Sequence, residues 1–215
     1  FNALQGRIAA YLKERMQLLA AISHDLQTPI TRMKLRVEQM DDSPERERLW
    51  SDLDEMQHLV REGVAYARSM DGSREALCRV DLDAFLDSLV LDYQDSGQAV
   101  TLDGRSGALI ETRPHALRRV LSNLLDNALK YGERAHLHVE DGKEALVLHV
   151  DDEGPGVPEQ RLEHVFEPHV RLSGQQQGYG LGLGIARNIA HAHGGELSMR
   201  NLQQGGLRVT LTLPR

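Results

Sequence analysis

Cysteine, long apolar runs and any basic excess are what this 215-residue chain lacks. Cys78 is its only cysteine, so no internal disulfide can form and a reducing compartment suits it. No apolar run approaches the roughly 18 residues that span a bilayer, and nothing resembles a cleavable signal peptide. The net charge is −1 over residues 1–70 and −6 over 71–215, which removes the basic footprint of a nucleic-acid binder from both parts. Long internal repeats are absent, and so is the Gly-Lys-Ser/Thr of a P-loop. What remains, 40% hydrophobic and 27% charged, reads as a soluble globular chain long enough for two small domains.

The first part reads as helical. Residues 2–40 form one long predicted helix with an apolar stripe of Leu19, Ile22, Leu26, Ile30, Met33, Val37 and Met40 at three- and four-residue steps. His24, in Ser23-His24-Asp25-Leu26-Gln27-Thr28-Pro29, lies roughly 140 to 200° around the helix from Leu19, Ile22 and Leu26, on the solvent side. Pro29 cannot bond the Asp25 carbonyl, so the turn after the histidine is pushed open. Asp41-Asp42-Ser43-Pro44 marks a turn and a restart. A second predicted helix over about 45–70 carries Leu49, Leu53, Met56, Val60, Val64, Ala67 and Met70 on one stripe. Two helices cannot bury two such stripes, so a second copy completing a four-helix bundle is expected.

Asp71-Gly72-Ser73 reads as the linker, and beyond it the pattern becomes mixed. Helices are predicted near 82–94, 114–131 and 181–193, and strands near 98–103, 107–111, 134–140, 144–151, 196–201 and 206–213. Helices set against a mostly antiparallel sheet give an α/β sandwich. The stretch 168–180, with its run of three glutamines, lacks periodicity and reads as a mobile loop.

Three elements of this part carry chemistry. Asn123 and Asn127 share a helix face with Lys130 and Tyr131 following, and carboxamide oxygens suit a hard cation held with phosphate, although such pairs also serve as caps. Asp152-Glu153-Gly154-Pro155-Gly156 ends a hydrophobic strand, as a carboxylate reading a base amino group beside close backbone would, or as a plain strand-end turn. Gly178-Tyr179-Gly180-Leu181-Gly182-Leu183-Gly184 opens a helix whose free N–H groups and dipole form a phosphate site. Together they converge on a nucleotide and a metal. His136 and His138 share a strand face that could neighbour His149, and His191 and His193 end a helix; without cysteines or a tight carboxylate cluster these read as surface residues, not zinc ligands.

Taken in order, the motifs resemble those of bacterial sensor histidine kinases of the membrane-receptor type. Ser23 to Pro29 resembles the H box, Asn123 to Tyr131 the N box, Asp152 to Gly156 the G1 box, Phe166-Glu167-Pro168 the F box and Gly178 to Gly182 the G2 box, while Phe1 to Ile8 resembles the end of a HAMP segment. The resemblance implies an α+β chain in three parts. Residues 1–10 would end the HAMP-like segment. Residues 11–72 would form an antiparallel helical hairpin, a four-helix bundle in the homodimer, for dimerisation and histidine phosphotransfer. Residues 73–215 would form an α/β sandwich of the gyrase, chaperone and histidine-kinase ATP-binding type.

It also implies ATP and Mg2+ as cofactors, a response-regulator receiver domain as partner, no nucleic acid, and a cytoplasmic place beneath an inner membrane reached only through an N-terminal part outside this sequence. His24 would be the phosphoacceptor, Asp25 the acid that orients its imidazole or takes its proton, and Thr28 the residue that places water for dephosphorylating the regulator. Asn127 would be the chief metal ligand with Asn123 beside it, Lys130, Tyr131 and Arg171 would face the triphosphate, Asp152 with Gly154 and Gly156 the adenine, and Gly178, Gly180, Leu181 and Gly182 the phosphates. Gln27, Tyr179 and His169 depart from the family pattern, and Thr112-Arg113-Pro114 lacks the aspartate often found before the N-box helix. A phosphatase-dominant member, or an ATP-gated docking module without kinase activity, is the alternative reading.

Overall fold

A computed structural model describes residues 21–23, 25–69, 75–167, 170 and 180–215, with the side chains of 58, 61, 62 and 64–69 outside that set. The chain divides into two compact units, Phe1–Asp71 and Gly72–Arg215. In the first, α1 covers residues 21–38, His24 lying outside the description, and α2 runs Pro44–Ser69. The expected stop and restart falls where Ser43 Oγ accepts from the Arg46 amide at 3.2 Å. Pro44 takes the first turn, where a missing N–H costs nothing, and Glu45 and Glu47 sit at the positive end of the helix.

Lys34 pins the hairpin: its Nζ donates to Asp54 Oδ1 at 2.6 Å and Gln57 Oε1 at 2.9 Å, and lies 5.2 Å from the Trp50 ring centre. Of the two expected stripes, Ile30, Val37 and Leu53 are buried, but Ile22, Leu26, Met33, Leu49 and Met56 remain exposed. Leu19, Val64, Ala67 and Met70 lie outside the described side chains.

The second unit runs β1 Cys78–Asp81, α3 Leu82–Asp95, β2 Ala99–Asp103, β3 Leu109–Thr112, α4 Pro114–Gly132, β4 Arg134–Asp141, β5 Ala145–Asp152, short 3-10 turns at Glu159–Arg161 and His164–Phe166, α5 Gly182–Ala192, β6 Glu196–Asn201 and β7 Leu207–Pro214. Five strands form one sheet in the order β2-β4-β5-β7-β6, parallel only between β2 and β4. β1, which the sequence pattern does not announce, pairs with β3 in a separate antiparallel ribbon that sets Cys78 opposite Thr112.

Strand alternation turns Leu137, Leu146, Leu148, Val150, Val209 and Leu211 toward the layer of α3, α4 and α5, where Leu86, Leu121, Leu124, Leu125 and Ile185 complete the core. The opposite face of the sheet is polar. There the expected neighbours meet: His138 and His149 are register partners with nearly parallel rings 6.1 Å apart. The surface reading of His149 is corrected, because it is only 8% exposed. Its Nδ1 lies 2.9 Å from Thr210 Oγ1, and burial together with nearby Arg208 lowers its pKa.

Candidate functional site

Asp152 is the last residue of β5 and its side chain is 6% exposed. Its Oδ1 accepts from the Gly154 amide at 2.8 Å and the Leu207 amide at 3.1 Å, so Oδ2 is the oxygen left for an incoming donor. Burial pushes the carboxyl pKa above its ordinary range, and the two backbone bonds offset part of that shift. A buried carboxylate held this way discriminates strongly for a ligand N–H, since any other partner leaves a desolvated charge unpaired.

The backbone around Asp152 comes close enough to forbid side chains. A Cβ built on Gly132 would stand 2.6 Å from the Glu153 nitrogen and 2.8 Å from Asp152 Cβ, so the glycine ending α4 is there for clearance. The left-handed position beyond it, where helices commonly place glycine, is held by Glu133 with φ 62°. Gly206, with φ +94°, would put a Cβ 1.9 Å from the Asp152 carbonyl oxygen. Gly154 packs on the end of α4, its own built Cβ falling 2.7 Å from the Tyr131 carbonyl oxygen. Asn201 then clasps the loop: it accepts from the Val157 amide at 2.8 Å and donates back to the Val157 carbonyl at 2.7 Å, directly after Gly156.

α4 brings the second group of side chains. Its apolar face, including Leu117, Leu121, Leu124, Leu125 and Ala128, is buried, which leaves Asn123, Asn127, Lys130 and Tyr131 half-buried on the flanking face. Lys130 Nζ lies 5.2 Å from the Tyr131 ring centre. Gly182, the first residue of α5, faces Asn123: a Cβ there would be 3.9 Å from Asn123 Oδ1. Among the described residues Asn123 Nδ2 is buried without a hydrogen-bond partner, a donor whose desolvation costs about 1–3 kcal/mol until an acceptor arrives. A phosphate oxygen supplies such an acceptor, and carboxamide oxygens suit Mg2+, so these residues fit a nucleotide with its cation. Gly180, with φ +68°, and buried Leu181 lead into α5, whose first residue lies beside Asn123.

Of the residues singled out by sequence, Asp25 and Thr28 are exposed on α1 in the helical unit, and all the others described lie in the second unit. His24, Arg171 and Gly178 are outside the described residues, as are Pro168, His169 and Tyr179 among the motif positions. The sequence reading did not single out Gly132, Gly206, the Leu207 amide or Asn201. It also passed over Arg187, whose guanidinium stacks 4.6 Å from the Phe166 ring centre and pairs with Glu163 at 3.1 Å. A glycine pair before the last strand was the one available signal for Gly206.

Residues 112–215 match the family model described as histidine kinase-, DNA gyrase B-, and HSP90-like ATPase, which defines this unit as an ATP-binding module. Over its full length the chain is 55% identical to the sensor histidine kinase GtrS of Pseudomonas aeruginosa, covering 45% of that protein. It is 35% identical to the sensor protein RstB of Escherichia coli, again over 100% of this chain and 52% of the relative. The solved structure of full-length ShkA in complex with AMPPNP shares the fold, with a TM-score of 0.76 at 23% identity over 92% of this chain and 45% of that one. The chain thus spans about half the length of the curated relatives it matches. Over its full length it is similar to bacterial sensor histidine kinases.

Proposed function

We propose that this chain uses Mg·ATP to phosphorylate His24 and then passes the phosphoryl group to an aspartate of a response-regulator receiver domain. The observation that carries the nucleotide half of this reading is Asp152, a buried carboxylate with Oδ1 committed to backbone and Oδ2 available to the adenine amino group. Asn127 is the chief metal ligand. Asn123 offers its carboxamide oxygen to the cation and its buried Nδ2 to a phosphate oxygen. Bound Mg2+ would neutralise charge on the phosphate oxygens. Lys130, Tyr131 and Arg171 line the triphosphate side, and Gly178, Gly180, Leu181 and Gly182 offer backbone amides to it.

In the transfer, an imidazole nitrogen of His24 forms a bond to the γ-phosphorus as the bond to the bridging oxygen breaks, and ADP leaves with that electron pair. Asp25 orients the ring or takes its proton. Thr28, one turn along the helix, places the water that hydrolyses the regulator's aspartyl phosphate. The exposed apolar stripes of α1 and α2, Ile22, Leu26 and Met33 with Leu49 and Met56, support pairing with a second copy as a four-helix bundle.

Incubation with γ-labelled ATP and Mg2+ tests the reading. The wild-type chain is expected to gain an acid-labile, alkali-stable label and His24→Ala none, and equal labelling of both would remove the assignment.

A further inference from the structure

α4 begins without a cap of its own. Its N-cap residue is Arg113, whose side chain carries only donors and makes no capping bond, although Pro114 at the first turn leaves the next amides needing acceptors. Those acceptors come from Glu75, 40 residues earlier in the chain: Oε1 accepts from the His115 amide at 2.9 Å and Oε2 from the Ala116 amide at 3.0 Å. These are the two amides that an N-cap side chain ordinarily satisfies, here met by a carboxylate that also suits the positive end of the helix. Arg113 answers in the other direction. Its Nε donates to the Glu75 carbonyl at 3.0 Å, and its Nη1 makes a longer 3.5 Å approach to the carbonyl of Ala192, the last residue of α5. The β1–β3 ribbon brings the two together by pairing Cys78 with Thr112.

The consequence follows from where these ends lie. α4 and α5 pack against each other, with Asn123 of one near Gly182 of the other at the nucleotide end. The opposite ends, the start of α4 and the finish of α5, both meet the Glu75–Arg113 pair. We propose that Glu75 and Arg113 are positioning residues that fasten the segment entering this unit to both nucleotide-lining helices, so that releasing the segment weakens nucleotide binding. The proposal rests on the reading of α4 and α5 as nucleotide-lining.

Hydrogen exchange and Mg·ATP titration on the whole chain test it. Glu75→Ala is expected to speed exchange at the His115 and Ala116 amides about tenfold, to speed exchange across residues 75–77, and to weaken nucleotide affinity about fivefold. Glu75→Gln, which keeps one carbonyl acceptor, should fall between the two and guards against a folding defect in the alanine variant. Adding Arg113→Asp to Glu75→Ala gives α4 a capping carboxylate of its own. Protection at His115 and Ala116 should then return, while exchange across 75–77 stays fast and affinity stays below wild type.

Unchanged exchange at His115 and Ala116 in Glu75→Ala would overturn the proposal. So would full affinity in the double variant with 75–77 still fast, because the pair would then be a cap and nothing more. Failure of the wild-type chain to bind nucleotide would instead strike the nucleotide reading itself.

Discussion

Asp152→Asn changes one charge and almost no volume at the centre of the proposed adenine site, and its effects on binding and on folding should run in opposite directions. The carboxamide oxygen can still accept from the Gly154 and Leu207 amides, now at 2.8 and 3.1 Å, so the backbone around β5 and β7 keeps its anchor. The group replacing Oδ2 is an NH2, a donor set against the donor of an adenine amino group. Losing a hydrogen bond to a charged acceptor costs about 1.5–3 kcal/mol, or about 10- to 150-fold in Kd.

Stability moves otherwise. Burial raises the Asp152 pKa above its ordinary value of 3.8, so the folded chain binds this proton more readily than the unfolded one, and stability falls as pH rises through the raised value. At neutral pH the ionised carboxyl is therefore the costly form, and the neutral amide should leave the melting temperature equal or higher. Calorimetric titration with Mg·ATP beside a thermal melt reads both quantities. In the wild type, affinity should also decline on acidification, beginning above the pH at which an ordinary aspartate protonates, and Asp152→Asn should lack that decline. Wild-type affinity in the variant would refute the adenine contact, and a sharply lowered melting temperature would refute the argument that backbone amides accept the swap.

Gly206→Ala forces a Cβ to within 1.9 Å of the Asp152 carbonyl oxygen at a φ of +94°, and urea unfolding should show a loss of about 3 kcal/mol or more. Leu49→Glu places a charge on an exposed stripe position of α2, 43% exposed in the single chain. Sedimentation should then show monomer at concentrations where the wild type is dimeric, with nucleotide affinity unchanged; a dimer as tight as wild type would count against the bundle.

The sequence disclosed features whose cause is local. Ser43 and Pro44 start α2 by capping and by a fixed backbone angle, and both are readable in place. Leu146, Leu148 and Val150 announce the buried face of β5, and with it the strand end at which Asp152 stands. Features that depend on distant partners stayed hidden. β1 has four residues with a single aliphatic side chain among them, so its pairing with β3 leaves no periodic trace. The parallel pairing of β2 with β4 likewise follows from the path of the chain between them, not from either strand's pattern. Gly132 and Gly206 matter because of what approaches them, and the Leu207 amide reaches Asp152 across 55 residues. The capping role of Glu75 had only a negative sign, an arginine where the helix needed an acceptor.

The Leu207 amide also dates the site within the life of the chain. A nascent chain that has emerged only as far as α5 already carries every described motif residue, yet lacks the strand that aims Asp152 and the glycine that lets that strand pass. β7 must seat itself between β5 and β6 before the carboxylate is oriented. On the proposed adenine contact, the site is therefore complete only once β7 is seated, and ATP would stabilise only chains in which that interior strand is in register.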